Sequence, residues 1–150
     1  MYYFASDVHL GAGDELSSRR TEQCFVRWLD TISADAEAIF LVGDIFDFWC
    51  EYNKVIPKGF VRTFGKLAEL TDRGIPVVFI TGNHDMWSRD YLQRECGVEV
   101  VHTSRNITLG NRTIHIAHGD NLNIGDKPLL RLMNSTFRSR IMRKLFAWLI

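Results

Sequence analysis

Residues 38–47 read Ala-Ile-Phe-Leu-Val-Gly-Asp-Ile-Phe-Asp. Five apolar residues halted by a glycine describe a short strand buried on both faces. Gly43 allows a tight exit, and Asp44 then offers a carboxylate able to bridge two cations, although an aspartate there also serves as a turn or helix cap. The same pattern recurs on either side. Tyr2 to Ser6 reads as a buried strand leading into Asp7-Val8-His9, where an extended backbone would turn both side chains to one side. Val77 to Thr81 leads into Gly82-Asn83-His84-Asp85, and Arg112 to Ala117 into His118-Gly119-Asp120.

Helical periodicity fills the intervals. From Ser18, the residues Cys24, Phe25, Trp28, Leu29 and Ile32 share one face. After Pro57, Phe60, Val61, Phe64, Leu67, Ala68 and Thr71 do the same, with Gly74 and Pro76 as stops. A shorter helix is predicted from about Ser88 to Cys96, then a strand over Val98–Val101. Asn106–Leu109 and Arg112–Ala117 flank Gly110-Asn111, a two-residue hairpin turn. Alternating strands and helices predict an α/β fold with right-handed crossovers, a largely parallel sheet and an added antiparallel pair.

The chain of 150 residues has one domain's length, 46% hydrophobic and 24% charged, which excludes disorder. No apolar run reaches the 18 residues of a membrane span, and the first residues lack the layout of a secretory signal, so a cytoplasmic protein is expected. Cys24, Cys50 and Cys96 are odd in number and widely spaced, as incidental thiols of a reducing compartment would be. The zero net charge divides unevenly. Residues 1–120 hold 12 Lys and Arg against 17 Asp and Glu, whereas 121–150 hold six basic residues against Asp126 alone. An acidic body suits cations and argues against a nucleic-acid groove; a basic tail suits an anionic surface.

The intervals Asp7 to Asp44, Asp44 to Asn83 and Asn83 to His118 are 37, 39 and 35 residues, each room for a helix and a strand. The chemistry-bearing residues therefore gather at the carboxyl ends of strands, where open α/β sheets bind ligands. Carboxylates, imidazoles and an amide without a thiolate describe a dinuclear site for manganese, iron or zinc. Such a site suits in-line attack on phosphorus, with His84 stabilising charge or protonating the leaving oxygen and Asp85 orienting His84 through its other N–H. His102 and His115 are read as surface or structural. No serine or cysteine nucleophile motif and no phosphate-cradling Gly-x-x-x-x-Gly-Lys loop is present.

Asp-x-His, Gly-Asp-x-x-Asp and Gly-Asn-His-Asp in this order resemble the calcineurin-like metallophosphoesterases. Residues 43–52 with His118-Gly119-Asp120 are similar to the branch of UDP-2,3-diacylglucosamine pyrophosphatases of lipid A biosynthesis, which release UMP and a diacylated sugar phosphate. The resemblance implies an αββα sandwich, cut short here in its C-terminal part. It also implies two divalent ions, manganese foremost with zinc or iron as alternatives. Asp7, His9 and Asp44 would hold one ion; Asp44, Asn83 and His118 the other. Asn83, His84 and Asp126 would contact substrate. Many members carry arginine at the position of His84, and the family's later Gly-His-x-His motif has no counterpart after His118. A chain with five of the ligands is expected to bind metal weakly and to self-associate.

The domain expectation is a core over 1–120 and the start of a basic amphipathic cap over 121–150. There Phe137, Ile141, Leu145, Trp148 and Leu149 form a stripe flanked by Arg138, Arg140, Arg143 and Lys144. That pattern suits a helix on anionic lipid, a lid over acyl chains, or a helix packed on the rest of the domain. The implied partners are a UDP-activated diacylated sugar lipid and the inner-membrane surface, with no nucleic acid. Alternatives are another phosphodiester or phosphomonoester as substrate, or a non-catalytic fragment or scaffold.

Overall fold

The computed structural model describes residues 1–120 together with Ser139. The elements follow in the order β1 (Tyr2–Ala5), α1 (Glu15–Ile32), β2 (Ala38–Val42), α2 (Val61–Asp72), β3 (Val77–Ile80), α3 (Tyr91–Cys96), β4 (Glu99–Val101), β5 (Ser104–Leu109) and β6 (Arg112–Ala117). The strands β1-β2-β3-β4 pair in sequence order and all in parallel, while β5 and β6 form a separate antiparallel hairpin. Successive right-handed crossovers in one direction place every connecting helix on one face of the sheet.

The strand alternation sorts the apolar residues between two cores. Ile39, Leu41, Val77 and Phe79 face the helices and pack with Phe25, Leu29, Leu67 and Leu70. Ala38, Phe40, Val78 and Ile80 face the other way and pack against Ile116 and Ile107 of the hairpin. The result is the helix–sheet–sheet order of the expected α/β sandwich. The tail residues of the cap expectation, and Asp126, lie outside the described residues.

Several details correct the sequence reading. α1 begins at Glu15, three residues before Ser18, because Asp14 caps it by accepting from the Ser17 backbone N–H at 2.7 Å. Cys24 lies on its exposed face, and Glu22 is buried instead. Val61 is exposed where an inward position was expected, since α2 starts there and turns Thr63, Leu67 and Leu70 inward. α2 has no side-chain cap of its own. Glu22 Oε1 reaches across from α1 to accept from the N–H groups of Arg62 and Thr63 at 3.1 and 3.3 Å. Among the described residues β1 is an edge strand, with Tyr2 and Phe4 substantially exposed; Phe4 stacks on Phe40 of β2. Cys50 and Cys96 are buried, and desolvation pushes the Cys96 thiol up to about 11, which keeps it protonated and unreactive.

Candidate metal centre

The sheet does not stop where the strands do. Beyond β1 and β2 the two loops stay hydrogen-bonded: Asp7 N–H to Gly43 C=O at 3.1 Å, His9 N–H to Asp44 C=O at 3.0 Å, Leu10 N–H to Ile45 C=O at 2.9 Å. The first two ligand-bearing motifs are therefore one rigid ribbon. Along it, Asp7, His9 and Asp44 adopt left-handed backbone with φ of 54°, 50° and 53°. Among the described residues four non-glycines have positive φ, and three of them are these candidate ligands; such strain concentrates where function requires it. The extended geometry expected for Asp7-Val8-His9 is thus replaced by two left-handed residues, and the i, i+2 argument for a shared ion does not apply.

The side chains converge all the same, in a different grouping. Ligand atoms of Asp7, Asp44 and His118 lie within 4.8 Å of one another, and so do those of His9, Asp44 and His84. Asp44 belongs to both clusters. Asp7 falls with His118 rather than with His9. Asn83, at the carboxyl end of β3, is exposed beside His84. His115 is exposed and bonded to Asn106, and His102 is exposed, as expected for residues outside the site.

Each of the three histidines is fixed through Nδ1. His118 Nδ1–H donates to Val42 C=O at 3.1 Å, His84 Nδ1–H to Asp47 C=O at 2.6 Å, and His9 Nδ1–H to the Asp47 carboxylate at 3.2 Å. A carbonyl or carboxylate can only accept, so Nδ1 carries a proton, and in the neutral ring Nε2 is the free lone pair. That is the usual outer arrangement of a metal-binding imidazole. It also creates a conflict that a cation resolves. His118 Nε2 lies 3.3 Å from Asp44 Oδ2, where a neutral ring would set one acceptor against another, and Asp44 is only 4% exposed with no lysine or arginine paired to it among the described residues. A positive charge between them satisfies both. The donor set fits divalent ions.

Asp47 emerges as a positioning residue: it holds His9 through its carboxylate and His84 through its carbonyl. It was visible in Gly-Asp-x-x-Asp but carried no assigned role. Asp85 requires a correction. Its carboxylate is fully buried and accepts from the N–H groups of Gly82 at 2.7 Å, Ile45 at 2.8 Å and Phe46 at 3.4 Å. It therefore locks the β3 loop to the β2 loop and does not touch the His84 ring, whose Nδ1 is taken by Asp47. Burial raises the Asp85 carboxyl above its ordinary value, opposed by those three N–H bonds. The hydrogen bond with Asp47, opposed by partial burial and aided by the charges of Asp44, Asp47 and Asp85, raises His84.

Two glycines make the arrangement sterically feasible. A Cβ on Gly43 would stand 2.3 Å from the His118 ring, and one on Gly82 would stand 2.2 Å from Asp44 Oδ1. The glycine of one motif is the seat for the ligand of another. Gly82 has no positive φ, so an alanine there tests contact alone. We expect Gly82→Ala to displace the Asp44 carboxylate and lower manganese affinity by roughly 10- to 100-fold, as loss of a supporting contact does. Titration of the metal-free protein with manganese measures it; wild-type affinity for both ions would remove the seat from the explanation.

The comparisons with known proteins bear on this centre. The Calcineurin-like phosphoesterase profile matches residues 2–145. The chain belongs to that family. Among curated phosphoesterases it is 39% identical over 145 residues to the UDP-2,3-diacylglucosamine hydrolase of Porphyromonas gingivalis, covering 97% of this chain and 55% of that protein. The hydrolase of the same name from Vibrio vulnificus is 31% identical, with 97% and 56% covered, and that from Histophilus somni 30%, with 98% and 58%. The chain thus spans a little over half the length of these relatives. A crystal structure of a protein of unknown function from Aquifex aeolicus shares the fold, with a TM-score of 0.52 and 14% identity over 91% of this chain and 72% of that one.

Proposed function

We propose that the protein hydrolyses the pyrophosphate of UDP-2,3-diacylglucosamine, adding water across the P–O–P bridge to give UMP and 2,3-diacylglucosamine 1-phosphate. The observation that carries the phosphoesterase part is Asp44, one buried carboxylate common to two ligand clusters. The named relatives at 30–39% identity supply the substrate. Asp7, His9, Asp44, Asn83 and His118 would hold two divalent cations, manganese being our choice, and His84, the third member of the second cluster, is assigned to the phosphate instead of to an ion. When bound, the ions neutralise charge on phosphorus and activate water.

His84 does the work of a proton donor or phosphate contact. Its Nδ1–H is anchored on Asp47, and its ring meets that of His9 edge-on with centroids 4.8 Å apart. Its Nε2 is left for the substrate, and the hydrogen bond to Asp47 with the charges of Asp44, Asp47 and Asp85 favours the protonated ring, in which that nitrogen carries the proton to be given. Next to it a pocket of about 340 Å³ is bounded by Phe48, Trp49, Met86 and Trp87. That apolar wall suits the acyl-bearing half of the substrate. The lipid substrate, with the basic and apolar residues of 121–150, favours work at the cytoplasmic face of the inner membrane. No helix among the described residues is long and apolar enough to cross a membrane.

The test is release of UMP from UDP-2,3-diacylglucosamine with manganese present. Turnover of a different diester with this substrate left intact would overturn the proposal. For His84→Ala we expect turnover to fall by roughly 10²-fold or more, the contribution of a positioned acid, with manganese affinity little changed. Loss of metal as the main effect would make His84 a ligand.

A further inference from the structure

A second and larger cavity, of about 670 Å³, opens between the start of α1 and the loop ahead of α2. None of the metal ligands lines it, but it borders the centre at Leu10 and Gly11, which directly follow His9, and at Asp47, which holds His9. It meets the tryptophan-lined pocket at Asp47 and Phe48, which border both. Phe48 is 58% exposed and stands between them. The centre is therefore flanked by two compartments of unlike chemistry.

The smaller compartment has an aromatic and thioether wall and no lysine or arginine. The larger one is lined by Arg19, Lys58 and Arg62 with Glu15, Glu22 and Asp47. Half of those charges are committed. Glu22 accepts from the first turn of α2 and lies 3.8 Å from the Arg62 guanidinium, and Asp47 holds His9. Arg19 and Lys58 make no hydrogen bond or ion pair within the described residues, and both are exposed to the cavity. Glu15 is the one acidic group there without such a commitment. Two available cations facing a nucleotide-sized space are a feature the metal centre itself does not require.

Resting on the functional reading above, we propose that this cavity receives the nucleotide half of the substrate, the half that departs as UMP, with Arg19 and Lys58 as contacts to its uracil carbonyls and ribose while its phosphate stays at the ions. A substrate joined at a pyrophosphate must send one arm to each side of the ions. The hydrocarbon chains of the acylated arm make no hydrogen bonds and lose nothing against tryptophan. The nucleotide carries phosphate oxygens and base carbonyls that would be costly to bury without donors. Polarity alone assigns the arms. Arg19 and Lys58 are specificity residues in this account, placed one on each wall of the cavity.

The test uses the natural protein with manganese bound and the variants Arg19→Ala, Lys58→Ala and their double. Both residues are exposed, so folding is unaffected, which circular dichroism verifies. Calorimetric titration is run with three probes: UMP, 2,3-diacylglucosamine 1-phosphate and inorganic phosphate. Each single variant is expected to weaken UMP about tenfold, the effect of one lost charge-assisted contact, and the double variant more. Affinity for the sugar phosphate and for inorganic phosphate stays within about twofold, since neither uses the two cations. Unchanged UMP affinity overturns the assignment, as does an equal loss for inorganic phosphate, which would place the effect at the ions. Weakening of the lipid product instead would exchange the two arms and also overturn it. The wild-type assay with UDP-2,3-diacylglucosamine tests the underlying functional reading separately: normal turnover there with unaltered UMP binding in the variants refutes the pocket alone.

Discussion

Replacing Asp44 with alanine is expected to abolish turnover in the natural protein, by roughly 10³-fold or more, and to remove both cations at once. No other described side chain belongs to both ligand clusters. Asp7 or His9 can be lost from one side with the other cluster intact, but Asp44 cannot. The fold should survive. Asp44 is held at φ 53°, a conformation that disfavours every residue with a Cβ, and its buried charge has no lysine or arginine partner among the described residues. Asn tolerates that backbone better and keeps an oxygen for the His84 N–H, which Asp44 Oδ1 accepts at 3.0 Å. Without metal, Asp44→Asn should therefore melt at or above the wild-type temperature, while its manganese affinity collapses. Metal analysis, thermal melting and UMP release separate the two effects. A variant that keeps two ions and turns over would end the bridging role.

The strand ends were legible because the strand interiors are so uniform. Ala38–Val42 and Val77–Ile80 are buried on both faces, one by helices and one by the hairpin, so each appears as an unbroken apolar run. A buried strand can end only where polar residues begin, and those residues then face the mouth between the layers. Asp44, Asn83 and His84 were found on that ground. What the sequence hid was backbone conformation. Nothing in Asp7-Val8-His9 announces left-handed dihedrals, because the β1–β2 ribbon imposes them from outside, and the regrouping of ligands follows from that. The role of Asp85 was hidden for a related reason. Its partners are backbone N–H groups, two of them 39 or 40 residues away, and backbone donors leave no mark on residue identity. Cys24 and Glu22 show the same limit on a helix. The apolar stripe of α1 was readable, but only the neighbouring start of α2, with its uncapped amides, explains why a glutamate is buried and a cysteine is not.

Asp85→Ala should cost more stability than any other single change in the centre. The carboxylate is fully buried and satisfies the N–H groups of Gly82, Ile45 and Phe46. Alanine leaves three donors in a site too enclosed for easy hydration, at a cost of about 1–3 kcal/mol each, so a loss of about 3 kcal/mol or more is expected. Asn is a poor replacement, since its NH2 would face an N–H where an acceptor is required. The loss should also have a pH signature in the metal-free wild type. Burial places the folded-state value of this carboxyl above that of the unfolded chain. A group raised in that way contributes stability that is fully present below the unfolded value and is lost as pH rises through the folded one. In Asp85→Ala that dependence disappears, leaving a weaker but flatter profile across the acid range. Urea unfolding at several pH values gives both quantities. The chemical consequence follows from the mechanical one: Asp85 ties the loop bearing Asn83 and His84 to the loop bearing Asp44, so the variant should lose manganese affinity without losing any ligand. Wild-type stability in Asp85→Ala, with parallel pH profiles, would mean that the three amides find other partners and that the two loops are held together by something else.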